Sequence, residues 1–316
     1  MPLYPRSRVL YTNQTEEMLL TWGGLFAPAE ELTVGMTVFD PDGLPCAITK
    51  INTHPCTYYR LSLSDRIEHF FADHLPSQDW GEWPICEGVQ LRKFPKPLHI
   101  HPYLLGFILG DGGFSGASDV RVSKGDDLIE HLTPFLPKGC RIIHLDGPDY
   151  AIRGDGQYNE MLISLRRYGL MGHRSDTKFV PPRYLYGDIP TRTDVLAGLI
   201  DSDGTATKTG HLEFTTGSEQ LAKDCAFLVR SLGGLIHMTT RDTASGKIGW
   251  RMPIWLPEGA NPLRLPRKRA RRALYKAKPL ERIVKTSEWL GEGVGYEIIT
   301  TSNEDGVLTE DCVPVW

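Results

Sequence analysis

Two stretches of the chain are apolar at nearly every position of a helical turn. They are Leu104-Leu105-Gly106-Phe107-Ile108-Leu109-Gly110-Asp111-Gly112 and Leu196-Ala197-Gly198-Leu199-Ile200-Asp201-Ser202-Asp203-Gly204. This pattern predicts short helices buried on all sides rather than surface helices with one apolar stripe. Pro102 opens the first, and Thr191-Arg192-Thr193-Asp194 reads as a capping box for the second. The copies are 92 residues apart, and that offset holds without a gap through Val120/Leu212, Val122/Phe214, Gly125/Gly217, Ile129/Leu221 and Leu136/Leu228. The chain therefore contains a duplicated unit. After each helix comes a polar, glycine-containing stretch, then an alternating strand (Val120-Arg121-Val122; Leu212-Glu213-Phe214), then another helix. In the second copy Leu221, Cys225, Leu228, Val229 and Leu232 form its stripe, closed by Gly233-Gly234; in the first, Leu128, Ile129, Leu132 and Phe135 do so. Each half reads as αββαββα.

On either side the period changes from helical to two. Met36–Phe39, Ala47–Ile51, Tyr58–Leu63 and Arg66–Phe71 read as strands, with Asp40-Pro41-Asp42-Gly43-Leu44-Pro45 as a turn. Residues 78–84 read as irregular connection. At the far end, Gly295–Thr300 and Val307–Val313 read as strands around an Asn303–Gly306 turn. The expected organisation is an all-β domain (1–96 and 279–316) interrupted by an α+β domain (97–278) with halves at about 97–185 and 186–278.

Length and composition fit this arrangement. A chain of 316 residues is long enough for two domains. No run of roughly 18 apolar residues predicts a membrane span, and Met1–Arg8 has no apolar core of a secretory signal. The cysteines Cys46, Cys56, Cys86, Cys140, Cys225 and Cys312 form no C-x-x-C pair. They are read as reduced thiols of a cytoplasmic protein, or a nuclear one in a eukaryote. Net charge is −4, which by itself argues against a nucleic-acid partner. The stretch from Arg264 to Lys278 changes that picture. It carries Arg264, Arg267, Lys268, Arg269, Arg271, Arg272, Lys276 and Lys278 with no acid among them, a density suited to phosphates.

The chemistry concentrates at the ends of the two apolar helices. Glycine in mid-helix costs about 0.5–1 kcal/mol relative to alanine, so Gly106 and Gly198 suggest backbones in close approach. Packing the two helices on each other brings Asp111 and Asp203 to the same end. Each sits where unsatisfied carbonyls and the negative end of the helix dipole repel anions. A pair of carboxylates placed there is electrostatically poor without a cation. Carboxylate and carbonyl oxygens suit Mg²⁺, which can activate water and stabilise a leaving oxygen in phosphodiester cleavage.

These motifs resemble the paired LAGLIDADG motifs of single-chain homing endonucleases. The second copy departs from the family string at Ser202, the first at Leu105, Phe107, Leu109 and Gly110. The resemblance implies a pseudo-two-fold fold with saddle-shaped antiparallel sheets, acting as a monomer on double-stranded DNA with Mg²⁺ or Mn²⁺. It implies that Asp111 and Asp203 bind metal, with the carbonyls of Gly110 and Ser202 beside them. Asp201 is read as a helix-end residue, since Leu109 stands at its place in the first copy. Lys178, in Lys178-Phe179-Val180-Pro181, resembles the family's lysine near the scissile phosphate; Lys268 is the choice for the second half, with Lys247 its rival. Base and phosphate contacts are expected from Arg121, Lys124, Lys208, Glu213 and Arg241 on the sheets, and from Arg264, Arg267, Arg269, Arg271 and Arg272. Arg166, Arg167 and Arg174 are further phosphate candidates.

The flanks resemble the Hint splicing domain of inteins, through Glu30–Gly43, Ala72-Asp73-His74 and the closing strands 295–313. The family's splicing groups do not match. The chain begins Met1-Pro2 and ends Pro314-Val315-Trp316, and Phe71 stands where the family has threonine, although His74 matches. The expectation is a splicing-inactive shell. Two alternatives stay open: a non-catalytic DNA or RNA binder or intron maturase on the same scaffold, and a functional intein.

Overall fold

The computed structural model describes residues 10–11, 19–21, 26–63, 67–72, 82–83, 85, 88–91, 97–114, 119–123, 131–155, 158–242, 246, 248–276, 280, 282–303, 307–308 and 314–315. The chain divides into two compact units. One comprises Met1–Arg92, Arg230–Leu235 and Pro279–Trp316; the other comprises Lys93–Val229 and Ile236–Lys278.

The first unit is built on β-strands. In chain order these are β1 (Leu10–Tyr11), β2 (Leu19–Leu20), β3 (Phe26–Ala27), β4 (Thr37–Phe39), β5 (Pro45–Leu63), β6 (Ile67–Ala72) and β7 (Glu82–Trp83). After the second unit come β17 (Arg282–Thr300), β18 (Val307–Leu308) and β19 (Pro314–Val315). Their main sheet runs β1-β17-β5-β4, with β6 also on β5 and β7 also on β17. The Asp40–Pro45 turn forms as its residues dictate. The Asp40 carbonyl accepts from Gly43 N–H (2.8 Å) and the Asp40 carboxylate from Leu44 N–H (2.8 Å), while Gly43 sits at φ +80°. Val38, Cys46, Ile48, Ile298 and Val307 form the buried cluster beneath.

Two of the expected strands, 47–51 and 58–63, prove to be one strand of 19 residues, β5. It pairs antiparallel along β17, with register shifts at Val284/Thr286, Trp289/Gly291 and Ile299/Thr300. The first part of β17 was not legible. Lys285, Thr286, Glu288 and Trp289 are all exposed, so no apolar alternation marks it, and cross-strand hydrogen bonding holds it instead.

The second unit contains α1 (Pro102–Asp111), α2 (Glu160–Arg167), α3 (Pro182–Leu185), α4 (Ile189–Asp203), α5 (Glu219–Ser231, whose last two residues belong to the first unit) and α6 (Pro266–Ala273). Its strands are β8 (Gly112–Gly113), β9 (Val120–Ser123), β10 (Cys140–His144), β11 (Asp149–Gly154), β12 (Thr205–Ala206), β13 (Leu212–Thr216), β14 (Leu235–Ile236, whose first residue belongs to the first unit), β15 (Thr239–Asp242) and β16 (Ile248–Trp255). They make two antiparallel sheets, β10-β11-β9-β8 and β12-β13-β16-β14, with β15 also on β16. The duplication persists in the register. Gly113 opposes Arg121, and Thr205 opposes Glu213, each partner 92 residues further on. The second half runs α4, β12, β13, α5, then β15 and β16 with the short β14 before them, then α6, in the αββαββα order. At the place of α5 the described residues of the first half hold helical His131–Leu132 and a 3₁₀ turn (Thr133–Phe135); Leu128 and Ile129 lie outside the described residues. One boundary also shifts. Helix α4 starts at Ile189, capped by the Asp188 carboxylate accepting from Thr191 N–H at 3.1 Å. Thr191–Asp194 therefore lies inside the helix rather than at its cap, because Asp188 followed by Ile189-Pro190 supplies the acceptor three residues earlier and a pre-set φ.

Candidate active site

Helices α1 and α4 pack against each other at their glycines. A Cβ on Gly106 would stand 2.1 Å from the Val195 carbonyl oxygen, and one on Gly198 would stand 2.2 Å from that of Tyr103. Any side chain is excluded at both places, so the glycines permit backbone-to-backbone contact. Toward their C-termini the helices stay close. A Cβ on Gly110 would lie 1.9 Å from Ser202 Oγ and 3.3 Å from the Asp203 amide nitrogen. Each motif ends where its helix passes into the first strand of a sheet, Asp111 into β8 and Asp203 into β12. Asp111 is half-buried and Asp203 exposed.

Two lysines close the helix ends. Lys178 is 4% exposed, and its Nζ donates to the carbonyls of Ile108 (3.3 Å), Gly110 (3.1 Å) and Gly112 (2.8 Å). Lys268 is 8% exposed and donates to those of Ile200 (2.7 Å), Asp201 (2.8 Å) and Gly204 (2.7 Å). Each ammonium adds a donor to the last carbonyls of its helix, that of Ile108 also accepting from Gly112 N–H, and offsets the negative dipole end. Burial pushes the Lys178 pKa down to about 8, against the attraction of Asp203 and then Asp111. Both acids and Lys178 thus share one electrostatic site. The Gly110 carbonyl, a candidate metal ligand, already serves Lys178. Ser202 is buried, with its hydroxyl donating to Leu199 O (3.0 Å).

The donor set fits a hard divalent cation. No group of three or more His, Cys, Asp or Glu suited to a metal occurs among the described residues. What the helix ends offer is two carboxylates and backbone carbonyls, a set that leaves room for water, as Mg²⁺ requires and soft metals do not favour.

The sheets carry the other candidates. Arg121 is exposed on β9, its Nε 3.7 Å from Asp119. Register places Arg153 on the same face of β11, with Arg141 directly opposite it on β10. Arg153 pairs with Asp119 at 2.9 Å and Arg141 with Asp155 at 3.6 Å. In the second half Glu213 and Arg241 share a face with Arg251, which binds Glu213 at 2.6 Å. Lys208 is exposed. Arg141, Arg153 and Arg251 escaped the sequence reading, which stopped at the first strand of each sheet; the strands Cys140–His144 and Ile248–Trp255 would have given Arg141 and Arg251, whereas Arg153 follows the unbroken apolar run Tyr150-Ala151-Ile152 and no alternation marks it. Lys124 and Lys247 lie outside the described residues.

The basic run corrects an expectation. Arg264 is tied by its guanidinium to Asp194 and stacks over Tyr103 (5.2 Å) and Phe135 (5.1 Å). Arg272 is buried, stacks on Tyr275 (4.3 Å) and donates to Gly210 O and Ala260 O. With Lys268 also buried, the outward part of α6 narrows to Arg267, Arg269 and Arg271, the last also donating to Ala206 O (3.2 Å). Arg166, Arg167 and Arg174 are exposed. In the first unit nothing bears on splicing groups: Phe71 belongs to β6, and His74, the first nine residues and Trp316 lie outside the described residues.

Residues 191–286 match the family described as LAGLIDADG-like domain. That span holds the second motif, its sheet and Lys268, and leaves out the first motif. Over 150 residues, 48% of this chain, the sequence is 31% identical to the replicative DNA helicase DnaB of Mycobacterium intracellulare. The matched stretch is 21% of that helicase's length. Among solved structures, I-DmoI in complex with DNA and calcium overlaps 54% of this chain and 95% of its own, with 17% identity and a TM-score of 0.38. A variant of I-DmoI with its target DNA and magnesium overlaps 55% and 92%, with 18% identity and a TM-score of 0.35. No helix among the described residues is long and apolar enough to cross a membrane.

Proposed function

We propose that the chain is a site-specific endonuclease of the homing type, which breaks both strands of a long DNA site as a monomer. The observation that carries this reading is the pair of glycine-packed helices delivering two acids, each with a buried lysine, to the starts of two arginine-bearing sheets. Asp111 and Asp203 would hold divalent metal, Mg²⁺ or Mn²⁺, with help from the neighbouring carbonyls. Such an ion supplies an activated water at neutral pH and stabilises the leaving oxygen. The protein's own residues do the rest. Arg121, Arg141 and Arg153 on one sheet, and Arg241 and Arg251 on the other, hold phosphates and base edges. Lys178 and Lys268 add positive charge beside each acid, where charge develops on the phosphate.

The test is cleavage of a plasmid library with Mg²⁺ by the wild type, Asp111→Asn and Asp203→Asn. Each single variant should leave nicked circles in place of linear DNA. Specific binding with no cleavage by the wild type would sink the reading, and full double-strand cleavage by either variant would sink the division of labour between the acids.

The flanking β unit we read as intein-like and inactive in splicing, since Phe71 offers no hydroxyl where the splicing block needs one. A helicase that shares only a fifth of its length supports a segment carried within a longer host protein. A tagged fusion should show, by mass, no ligated flanks.

A further inference from the structure

The buried acids Asp201 and Asp224 take no part in the chemistry above, and the difference between the motif copies at Leu109 and Asp201 is unexplained by it. The geometry points to these acids as positioning residues for the two lysines: Asp224 with Ser218 for Lys178, and Asp201 for Lys268. Only the consequence for DNA strands rests on the endonuclease reading; the placement of the lysines does not.

Lys178 lies in a segment, residues 173–180, with neither helix nor strand. A side chain with four rotatable bonds reaches three carbonyls at once only if its backbone is fixed. Two contacts fix it, one from Ser218 just before α5 and one from Asp224 within it. Ser218 Oγ donates to the Lys178 carbonyl at 2.6 Å, and Val180 N–H donates to Asp224 Oδ2 at 2.6 Å. Asp224 Oδ1 accepts from the Gln220 amide at 2.9 Å, which holds the carboxylate in place. Ser218 Oγ also accepts from Leu221 N–H at 3.2 Å, so the same hydroxyl caps α5. The lysine beside the first motif is therefore anchored by a helix of the second half.

Lys268 is carried on α6, whose N-cap, Leu265, has no side-chain cap. Asp201 instead holds the two residues that lead into the helix. Its Oδ2 accepts from the amides of Arg264 (2.8 Å) and Leu265 (3.0 Å) and from the Tyr103 hydroxyl (3.0 Å). Its own carbonyl accepts from Lys268 Nζ (2.8 Å). One residue thus holds both the start of the helix and the tip of the lysine. In the first half the work falls to Asp224 and Ser218, so the motif position can be Leu109.

The test reads the lysines directly. Brief acetylation of the full chain with acetic anhydride, followed by peptide mass spectrometry, gives a rate for each lysine, with exposed Lys208 and Lys223 as the standard. Asp224→Ala should raise acetylation of Lys178 roughly tenfold, the worth of one hydrogen bond to a charged group, and Ser218→Ala about fivefold, the worth of a neutral one; both should leave Lys268 unchanged. Asp201→Ala should do the reverse. If Asp201→Ala does not fold, Asp201→Asn replaces it, with a rise at Lys268 of about threefold, because a neutral acceptor is the weaker one. Asp224→Asn should restore most of the protection of Lys178. Equal rises at both lysines, or none at either, would overturn the proposal. On an end-labelled duplex that the wild type cuts with Mg²⁺, the Lys178 variants should slow one strand and the Asp201 variants the other; equal slowing of both strands would overturn the strand assignment. A wild type that cuts no DNA would refute the endonuclease reading and leave the acetylation result to decide the positioning.

Discussion

A methyl group on Gly198 would meet the Tyr103 carbonyl at 2.2 Å and the Phe107 amide nitrogen at 2.5 Å. Neither atom belongs to a side chain that can rotate away, so the two helices must part. Gly198→Ala should cost about 3 kcal/mol or more, read from urea unfolding, and Gly106→Ala should behave alike. The acid Asp224 yields a prediction in pH. Burial raises its carboxyl to about 6 from an ordinary 3.8, against the hydrogen bonds from Val180 and Gln220. Between those values the folded chain keeps a proton that the unfolded chain has released. The group's contribution to stability is therefore greatest below the window and falls as pH rises through it. Asp224→Asn removes that fall. Relative to the wild type, the variant should gain up to about 3 kcal/mol between pH 4 and pH 7, measured as the difference in unfolding free energy. No relative gain would mean the carboxyl titrates normally. At this scale the sequence revealed the glycines and the acids, whose patterns repeat. It did not reveal that Lys268 and Arg272 point inward, or that Arg264 is tied to Asp194 and the Tyr103 and Phe135 rings, because the groups they contact come from segments distant in the chain.

Helix α6 shows how a charge run divides once it folds. Along Pro266–Ala273, positions 268 and 272 are one turn apart and buried, while 267, 269 and 271 are exposed. Arg272→Ala should cost about 2–3 kcal/mol of stability, since it removes a buried stack and leaves carbonyls unpaired. Arg267→Ala and Arg269→Ala should leave stability within about 0.5 kcal/mol and lower the salt slope of DNA binding by about one each. Calorimetry and binding titrations at several salt concentrations separate the two kinds of arginine; an Arg272→Ala protein as stable as the wild type would show that the inward face is dispensable. The strands give the opposite lesson. β5 was legible in two pieces, where β-branched and aromatic residues cluster, and the polar half of β17 was not, because its partner rather than its own pattern makes it a strand.

For the molecule as a whole, net charge says little about the partner. The total is −4, yet Arg121, Arg141, Arg153, Arg241 and Arg251 stand exposed on the sheets. If six to ten phosphates are contacted, affinity for duplex DNA should fall by about 10³–10⁵ between about 50 and 200 mM salt, measurable by fluorescence anisotropy. A flat dependence would mean that these sheets do not carry the phosphate contacts.

By itself the sequence determined the duplication, the two helices buried all round, the glycines that must touch and the acids that follow them. These are local patterns of period and offset, written wherever a segment's own residues decide its burial. Only the tertiary structure decided which lysines and arginines turn inward, that Asp201 and Asp224 hold the segments carrying Lys268 and Lys178, and that a polar stretch after residue 281 completes a long strand pair. Those outcomes depend on hydrogen-bond partners some 40 to 240 residues away, and no local pattern records a partner at that distance.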